Sequence, residues 1–304
     1  MIELINNIFA VVVTYFPSSE VKENISAILE QGVSVIVVDN GSNDISKLEI
    51  EKISKLRSVT VIRNEVNLGI AKAFNQGIRV AAAAGSEWVF TFDQDSRVVS
   101  GFVSMMIESY QSAEKEFGPV ALLAPEYYDP VMNQVMGVQS DRNFDLELRQ
   151  IAISSGNLLR VSIFETVGLF AETFFIDYVD VEFCLRVRKQ YGYKIIQTRK
   201  TRLYHLLGNP EKIIFFGRTI IFYAHDHKRI YTMTRNRIIL YKRYAFFDLN
   251  WFAFDLKALF SELIKVILFK KNLRKYFNSY FFGFFHAILN YSGPYKLREE
   301  KIYK

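Results

Sequence analysis

The chain has 304 residues, 50% of them hydrophobic, and a formal net charge of +6, which allows a sizeable core and excludes a disordered chain. Its single cysteine, Cys184, excludes an intrachain disulfide and a cysteine-rich zinc site and suits a reducing compartment. The charge is uneven: residues 221 to 304 hold 16 Lys and Arg against 6 Asp and Glu, whereas the first 220 hold 22 against 26.

Taken in chain order, Ile8 to Thr14 reads as a strand. Its apolar run lacks a basic leader and ends at Pro17 without a small-residue cleavage site, so a buried first strand is expected rather than a secretory signal. Val21 to Glu30 has helical spacing, and Val33 to Val38 is a second strand that stops at the turn-forming Asp39-Asn40-Gly41-Ser42. Val59 to Arg63 is a third. The pattern then predicts a helix from about Gly69 to Ala84, with Asn67 near its start and Gly85 as the left-handed residue past its end. Trp88 to Phe92 is a fourth strand. This alternation argues for an α/β sheet with mostly parallel strands, in which ligands bind beyond the carboxyl ends. Thr14, Asp39, Asn67 and Asp93 each fall just past an apolar run and are expected to line one crevice.

Further on, a polar stretch covers Gln139 to Gln150 and is followed by Ile153-Ser154-Ser155-Gly156-Asn157. A helix is expected at Asp180 to Gln190, ended by Gly192, then a strand at Tyr193 to Gln197. Beyond Ile220 the periodicity turns helical. The expected division is therefore a domain over 1–220 and a basic, aromatic-rich helical region over 221–304.

Asp93 and Asp95 close the fourth strand one residue apart. Residues i and i+2 of a strand point the same way, so two carboxylates converge and repel unless a cation sits between them. Hard divalent ions such as Mg²⁺ take oxygen ligands of this kind together with substrate phosphates. The alternative is a solvated turn in which both carboxylates cap Ser96 and the residues after it.

The motifs Val13-Thr14-Tyr15, Val38-Asp39-Asn40-Gly41-Ser42, Asn67-Leu68-Gly69-Ile70-Ala71 with Asn75, and Phe92-Asp93-Gln94-Asp95 resemble, in this order, the nucleotide-binding half of family 2 glycosyltransferases. The run from Phe175 to Arg186 resembles the acceptor-side motif of that family, with Val179 where many members carry Glu. The resemblance covers residues 8 to 245 and implies the GT-A fold, a nucleotide-sugar donor and a divalent metal, Mn²⁺ or Mg²⁺. It implies Asp39 against the pyrimidine base, Thr14, Arg63, Asn67 and Lys72 around the nucleotide, and Asp93 and Asp95 on the metal at the diphosphate. His205, in Leu203-Tyr204-His205-Leu206-Leu207-Gly208, matches the position of a further metal ligand, and Asp180 that of the general base. Asp177 and Glu182 remain candidates, because the missing Glu leaves the register open by a few positions.

Phe92-Asp93-Gln94-Asp95-Ser96, the Asp177 to Arg186 run and Tyr231 to Arg237 look most like bacterial rhamnosyltransferases that use dTDP-L-rhamnose. The implied function is inverting transfer of L-rhamnose to a lipid-linked glycan acceptor in cell-surface polysaccharide assembly. Another sugar (a UDP-hexose or galactofuranose), or a nucleotide-sugar binding module without catalysis, are the alternatives.

The C-terminal region is aromatic as well as basic, with 17 of the 46 Phe, Tyr and Trp between Tyr241 and Tyr291. Between Leu249 and Phe269 the charges Asp255, Lys257, Glu262 and Lys265 share one side of a helical projection, and Lys270, Lys271, Arg274 and Lys275 precede an aromatic run. Association with an anionic membrane surface is expected, with a cytoplasmic protein peripheral on the inner face of the membrane. Packing on the catalytic domain or in a homo-oligomer is the alternative, and nucleic acid is not an expected partner.

Overall fold

In the computed structural model, which describes residues 8–136, 144–206, 208, 210–215, 218–223 and 225–295, the four apolar runs of the N-terminal half become parallel neighbours. Strand β1 (Ile8–Thr14) lies between β2 (Ser34–Asp39) and β4 (Trp88–Asp93), and β3 (Val59–Arg63) adds to the outer side of β2. Their side chains are apolar on both faces because helices cover the sheet: Val11, Val12, Ile36, Val37, Val89 and Phe90 are all buried. The crossovers are α1 (Glu20–Leu29), α2 (Asp44–Ser54) and α3 (Ile70–Ala83). A Cβ on Gly77 would lie 2.3 Å from Val11 Cγ1, so α3 reaches this close to β1 only through a glycine.

The sheet continues with β5 (Arg97–Val98), α4 (Phe102–Phe117), β6 (Val120–Asp129), β7 (Gln134–Val135), β8 (Leu146–Arg149), β9 (Asn157–Arg160), α5 (Ile163–Val167), α6 (Val179–Tyr191) and β10 (Lys194–Tyr204). Strand order is β3-β2-β1-β4-β9-β6-β10-β5, and all but β9 and β5 run in one direction. The expected α/β architecture with a mostly parallel sheet is thus present. The last strand runs past the expected Gln197 to Tyr204. Pro125, inside β6, has no N–H for the ladder, and the register slips there, from Gln197 opposite Ala124 to Arg202 opposite Glu126. Pairing then resumes as far as Tyr204 and carries the chain to His205.

These elements form the first of two compact units, Met1–Ala171 with Val179–Leu207. The second unit comprises Glu172–Tyr178 with Gly208–Lys304. It holds an antiparallel hairpin, β11 (Pro210–Phe215) and β12 (Arg218–Tyr223), where helical periodicity is expected from about Ile220. Helices α7 (His227–Tyr244), α8 (Leu249–Phe269) and α9 (Leu273–Ile288) follow. Asp226 caps α7 by accepting from Arg229 N at 2.7 Å, and Asp248 caps α8 by accepting from Trp251 N at 2.9 Å. A Cβ on Gly283 would lie 2.8 Å from Tyr231 O, so α9 packs against the backbone of α7. Part of the Gln139–Gln150 stretch and Leu207 lie outside the described residues. Among the described residues no helix is long and apolar enough to cross a membrane.

Candidate active site at the carboxyl edge of the sheet

Parallel pairing alone brings the polar strand ends level. Thr14 is opposite Asp39, Val13 opposite Asp93, and Asp39 opposite Arg63. Asp39 is buried, and its Oδ1 accepts from the Ser42 hydroxyl at 2.5 Å and from Ser42 N at 3.3 Å, so this carboxylate also shapes the turn after β2. The turn is pressed against the next loop: Gly41 has φ +88°, and a Cβ there would lie 2.5 Å from Val66 C. Asn67 closes that contact, its Oδ1 accepting from Asn40 Nδ2 at 3.0 Å and from Gly69 N at 2.9 Å. Thr14 is fully buried, with its hydroxyl donating to Val38 O at 3.5 Å. Arg63 is exposed at the end of β3, and Lys72 is half-buried in the first turn of α3.

Asp93, Asp95 and His205 converge, with one ligand atom from each lying within 4.8 Å of the others. His205 Nε2 is 3.9 Å from Asp93 Oδ2 and its Nδ1 is 3.7 Å from Asp95 Oδ1. The strand register explains the meeting: β5 begins two residues after Asp95 and pairs Arg97 with Tyr204, the residue before His205. A chain of hydroxyls fixes the imidazole. Ser96 Oγ lies 3.0 Å from His205 Nδ1 and 2.6 Å from Ser155 Oγ, and Ser155 Oγ accepts from Asp93 N at 3.0 Å. With Nδ1 engaged by Ser96, Nε2 is the nitrogen turned toward Asp93. Two carboxylate oxygens and an imidazole nitrogen are a donor set that fits a divalent ion such as Mn²⁺ or Mg²⁺.

Asp180 sits in the first turn of α6, half-buried, with its Oδ1 2.8 Å from Val181 N. Tyr127 relates it to the cluster. This phenol donates at 3.0 Å to Asn157 Oδ1, and its pKa is pushed well above the ordinary value, first by burial, with the carboxylates of Asp180 and Asp93 adding to the shift. Cys184 is an inert buried thiol, raised to about 12 by desolvation. Two further acids lie close to Asp180 in sequence. Glu182 is buried and accepts from Arg186 Nε at 3.0 Å, while Asp177, in the second unit, is held at 2.9 Å by Arg229.

Sequence reasoning passed over Gln94, Ser96 and Ser155. Gln94 Oε1 accepts from Tyr15 N at 2.9 Å and its Nε2 donates to Tyr15 O at 3.2 Å, which ties the end of β1 to the Asp-Gln-Asp turn. The available signal was the polar Ser154-Ser155-Gly156-Asn157 run between apolar segments.

Three comparisons bear on this arrangement. The family model described as Glycosyl transferase family 2 matches residues 9–168. A dTDP-rhamnosyl transferase, RfbF, of Shigella flexneri is 34% identical over 248 residues, covering 78% of this chain and 81% of that protein. Among solved structures, GalNAc-T7 with UDP, GalNAc and Mn²⁺ superposes with a TM-score of 0.58 at 12% identity, over 78% of this chain and 48% of that one. S. aureus TarS superposes with a TM-score of 0.50 at 16% identity, over 77% and 40%. The chain thus spans less than half the length of these two solved chains, and at such identities they speak for the fold alone.

Proposed function

The chain belongs to glycosyl transferase family 2 and is a glycosyltransferase, and from that premise we propose that it transfers L-rhamnose from dTDP-L-rhamnose, with inversion, to a glycan acceptor in cell-surface polysaccharide assembly. The observation that carries the transfer chemistry is the convergence of Asp93, Asp95 and His205 at the carboxyl edge of the sheet, within 4.8 Å of one another. The choice of sugar is supported by the Shigella relative, whose name specifies dTDP-rhamnosyl transfer.

In this reading Asp39 takes the ring N–H of the pyrimidine with its carboxylate, while Thr14 and Asn67 shape the loops around the nucleotide. Arg63 and Lys72 bring positive charge to the diphosphate side. Asp93, Asp95 and His205 hold a divalent ion that, when bound, acts as a Lewis acid on the charge the leaving diphosphate develops. Asp180 accepts the proton of the acceptor hydroxyl as that oxygen attacks the anomeric carbon on the face opposite the leaving group. Support for Asp180 is its match to the base position of the family motif, and its carboxylate acts on Tyr127 together with that of Asp93. A lipid-linked acceptor and a peripheral position on the inner membrane face belong to the same proposal and are supported by the basic, aromatic C-terminal region.

The test is the release of nucleoside diphosphate from dTDP-L-rhamnose, UDP-hexoses and UDP-galactofuranose in the presence of a lipid-linked glycan acceptor. Acceptor-dependent release of dTDP from dTDP-L-rhamnose, abolished in Asp180→Asn, is the expected result. Release from a UDP-sugar alone would overturn the donor assignment, and full activity of Asp180→Asn would overturn the base.

A further inference from the structure

Helices α8 and α9 bury Trp251, Val266, Gly283 and Ala287 beside several polar side chains, and leave many large apolar side chains exposed. On α8 the buried positions include Asp255, whose Oδ2 is 2.9 Å from Arg237 Nε, and Glu262 is turned to the same guanidinium at 3.6 Å. Tyr178 and Tyr241 donate to Asp255 at 2.7 and 2.6 Å, and Tyr280 to Glu262 at 2.8 Å. The other side of α8 exposes Phe254, Phe260, Ile264 and Leu268, each more than half accessible to solvent (60, 57, 56 and 55%). On α9, Ser279, Gly283 and Ala287 face inward, and the i, i+4, i+8 series Phe277, Phe281 and Phe285 is exposed with Ile288. A water-soluble helix pair normally buries such an apolar series.

Charge is sorted as well. Of the acids between residues 225 and 295, Asp248, Asp255 and Glu262 face inward and only Asp226 is exposed. Lys242, Arg243, Lys257, Lys271, Arg274 and Lys275 are all exposed. Arg235 and Arg237 are buried with those acids, so the charge left exposed on this stretch is almost wholly cationic and lies among and beside the apolar side chains.

We propose that the outward face of α8 and α9 docks on an anionic phospholipid bilayer, with the phenylalanines in the interfacial layer and the lysines and arginines on lipid phosphates. An in-plane position follows from the absence, among the described residues, of any helix suited to crossing a membrane. Lys257 lies on the exposed side of α8 and reaches the phosphate level by its long aliphatic stem. A second copy of the chain is a poorer occupant. A two-fold interface sets a patch against itself, so cations would meet cations, and the three acids that would relieve the repulsion are turned inward. Vesicle binding is measured without any sugar nucleotide, so its failure is distinguishable from a failure of the donor assignment.

The experiment is flotation of the full chain with vesicles of phosphatidylcholine alone and of phosphatidylcholine mixed with phosphatidylglycerol, at low and high salt. Binding is expected to the mixed vesicles and to weaken as salt rises. Phe281→Asp with Phe285→Asp, and separately Lys271→Glu with Lys275→Glu, are each expected to reduce the bound fraction roughly tenfold or more. All four positions are exposed, and an unchanged circular dichroism spectrum and melting temperature establish folding. Absence of binding to both vesicle types, or equal binding by both variants and wild type, would overturn the proposal. So would a concentration-dependent dimer, seen by sedimentation, that Phe281→Asp dissociates.

Discussion

Asp180 lies in sequence between Asp177 and Glu182, which are held by Arg229 and Arg186, and substitution tests the task of each acid. Asp180→Asn is expected to lower kcat by about 10²- to 10⁴-fold, the usual worth of a general base, while calorimetry finds dTDP affinity unchanged. Glu182→Gln leaves Arg186 with a lost partner in a site where the Glu side chain is 3% exposed, and the expected result is a loss of about 3 kcal/mol in denaturant unfolding with activity per folded molecule retained. Ser96 belongs to a different class, because its hydroxyl orients His205 from 3.0 Å. Ser96→Ala should weaken metal affinity by roughly 10- to 100-fold, read as a shift in the metal concentration giving half-maximal activity, with dTDP affinity in saturating metal near wild type. The pairing of Asp93 and Asp95 was legible from their spacing, although β4 ends at Asp93 and Asp95 reaches the cluster from the turn that follows rather than from a shared strand face. Ser96 and Ser155 were not, since their meeting joins residues 59 apart and depends on where β9 inserts.

At the level of elements, the legible parts were those with a local period. Strands β1, β3 and β4 and helix α3 fall within a residue or so of their expected limits, because unbroken apolar runs and a glycine stop are local signals. The extension of β10 to Tyr204 was hidden: pairing with β6 resumes only after a register shift between Gln197 and Arg202, which is visible only once the two strands are laid side by side. The β11–β12 hairpin was hidden for a second reason. Its apolar run has no clean two-residue alternation, so helix and strand fit it equally well. The packing of α3 on β1 is directly testable. Gly77→Ala places a methyl 2.3 Å from Val11 Cγ1 and should cost about 1–3 kcal/mol in thermal or denaturant unfolding, and combining it with Val11→Ala should recover part of the loss.

For the whole molecule, the pH dependence of stability has an identifiable contributor in the second unit. Burial lowers the pKa of His225 below its ordinary 6.5, Arg229 adding to the shift and Asp177 opposing it. The unfolded chain then binds the proton more readily, so the stability His225 supplies is complete above pH 6.5 and is lost as pH falls through the lowered folded value. His225→Gln should flatten the melting-temperature profile on the acid side of pH 6.5 and leave the alkaline side in place. In the first unit, strand register brings two carboxylates and an imidazole to the edge of a parallel sheet, and the proposed chemistry stands or falls with a metal held there. The decisive experiment is calorimetric titration of dTDP into metal-free protein, then with Mn²⁺ or Mg²⁺, for wild type and for Asp93→Asn. The metal is expected to tighten dTDP binding at least about tenfold in wild type and to have little effect in Asp93→Asn. Equal dTDP affinity with and without metal in wild type, or the same metal response in Asp93→Asn, would refute the assignment.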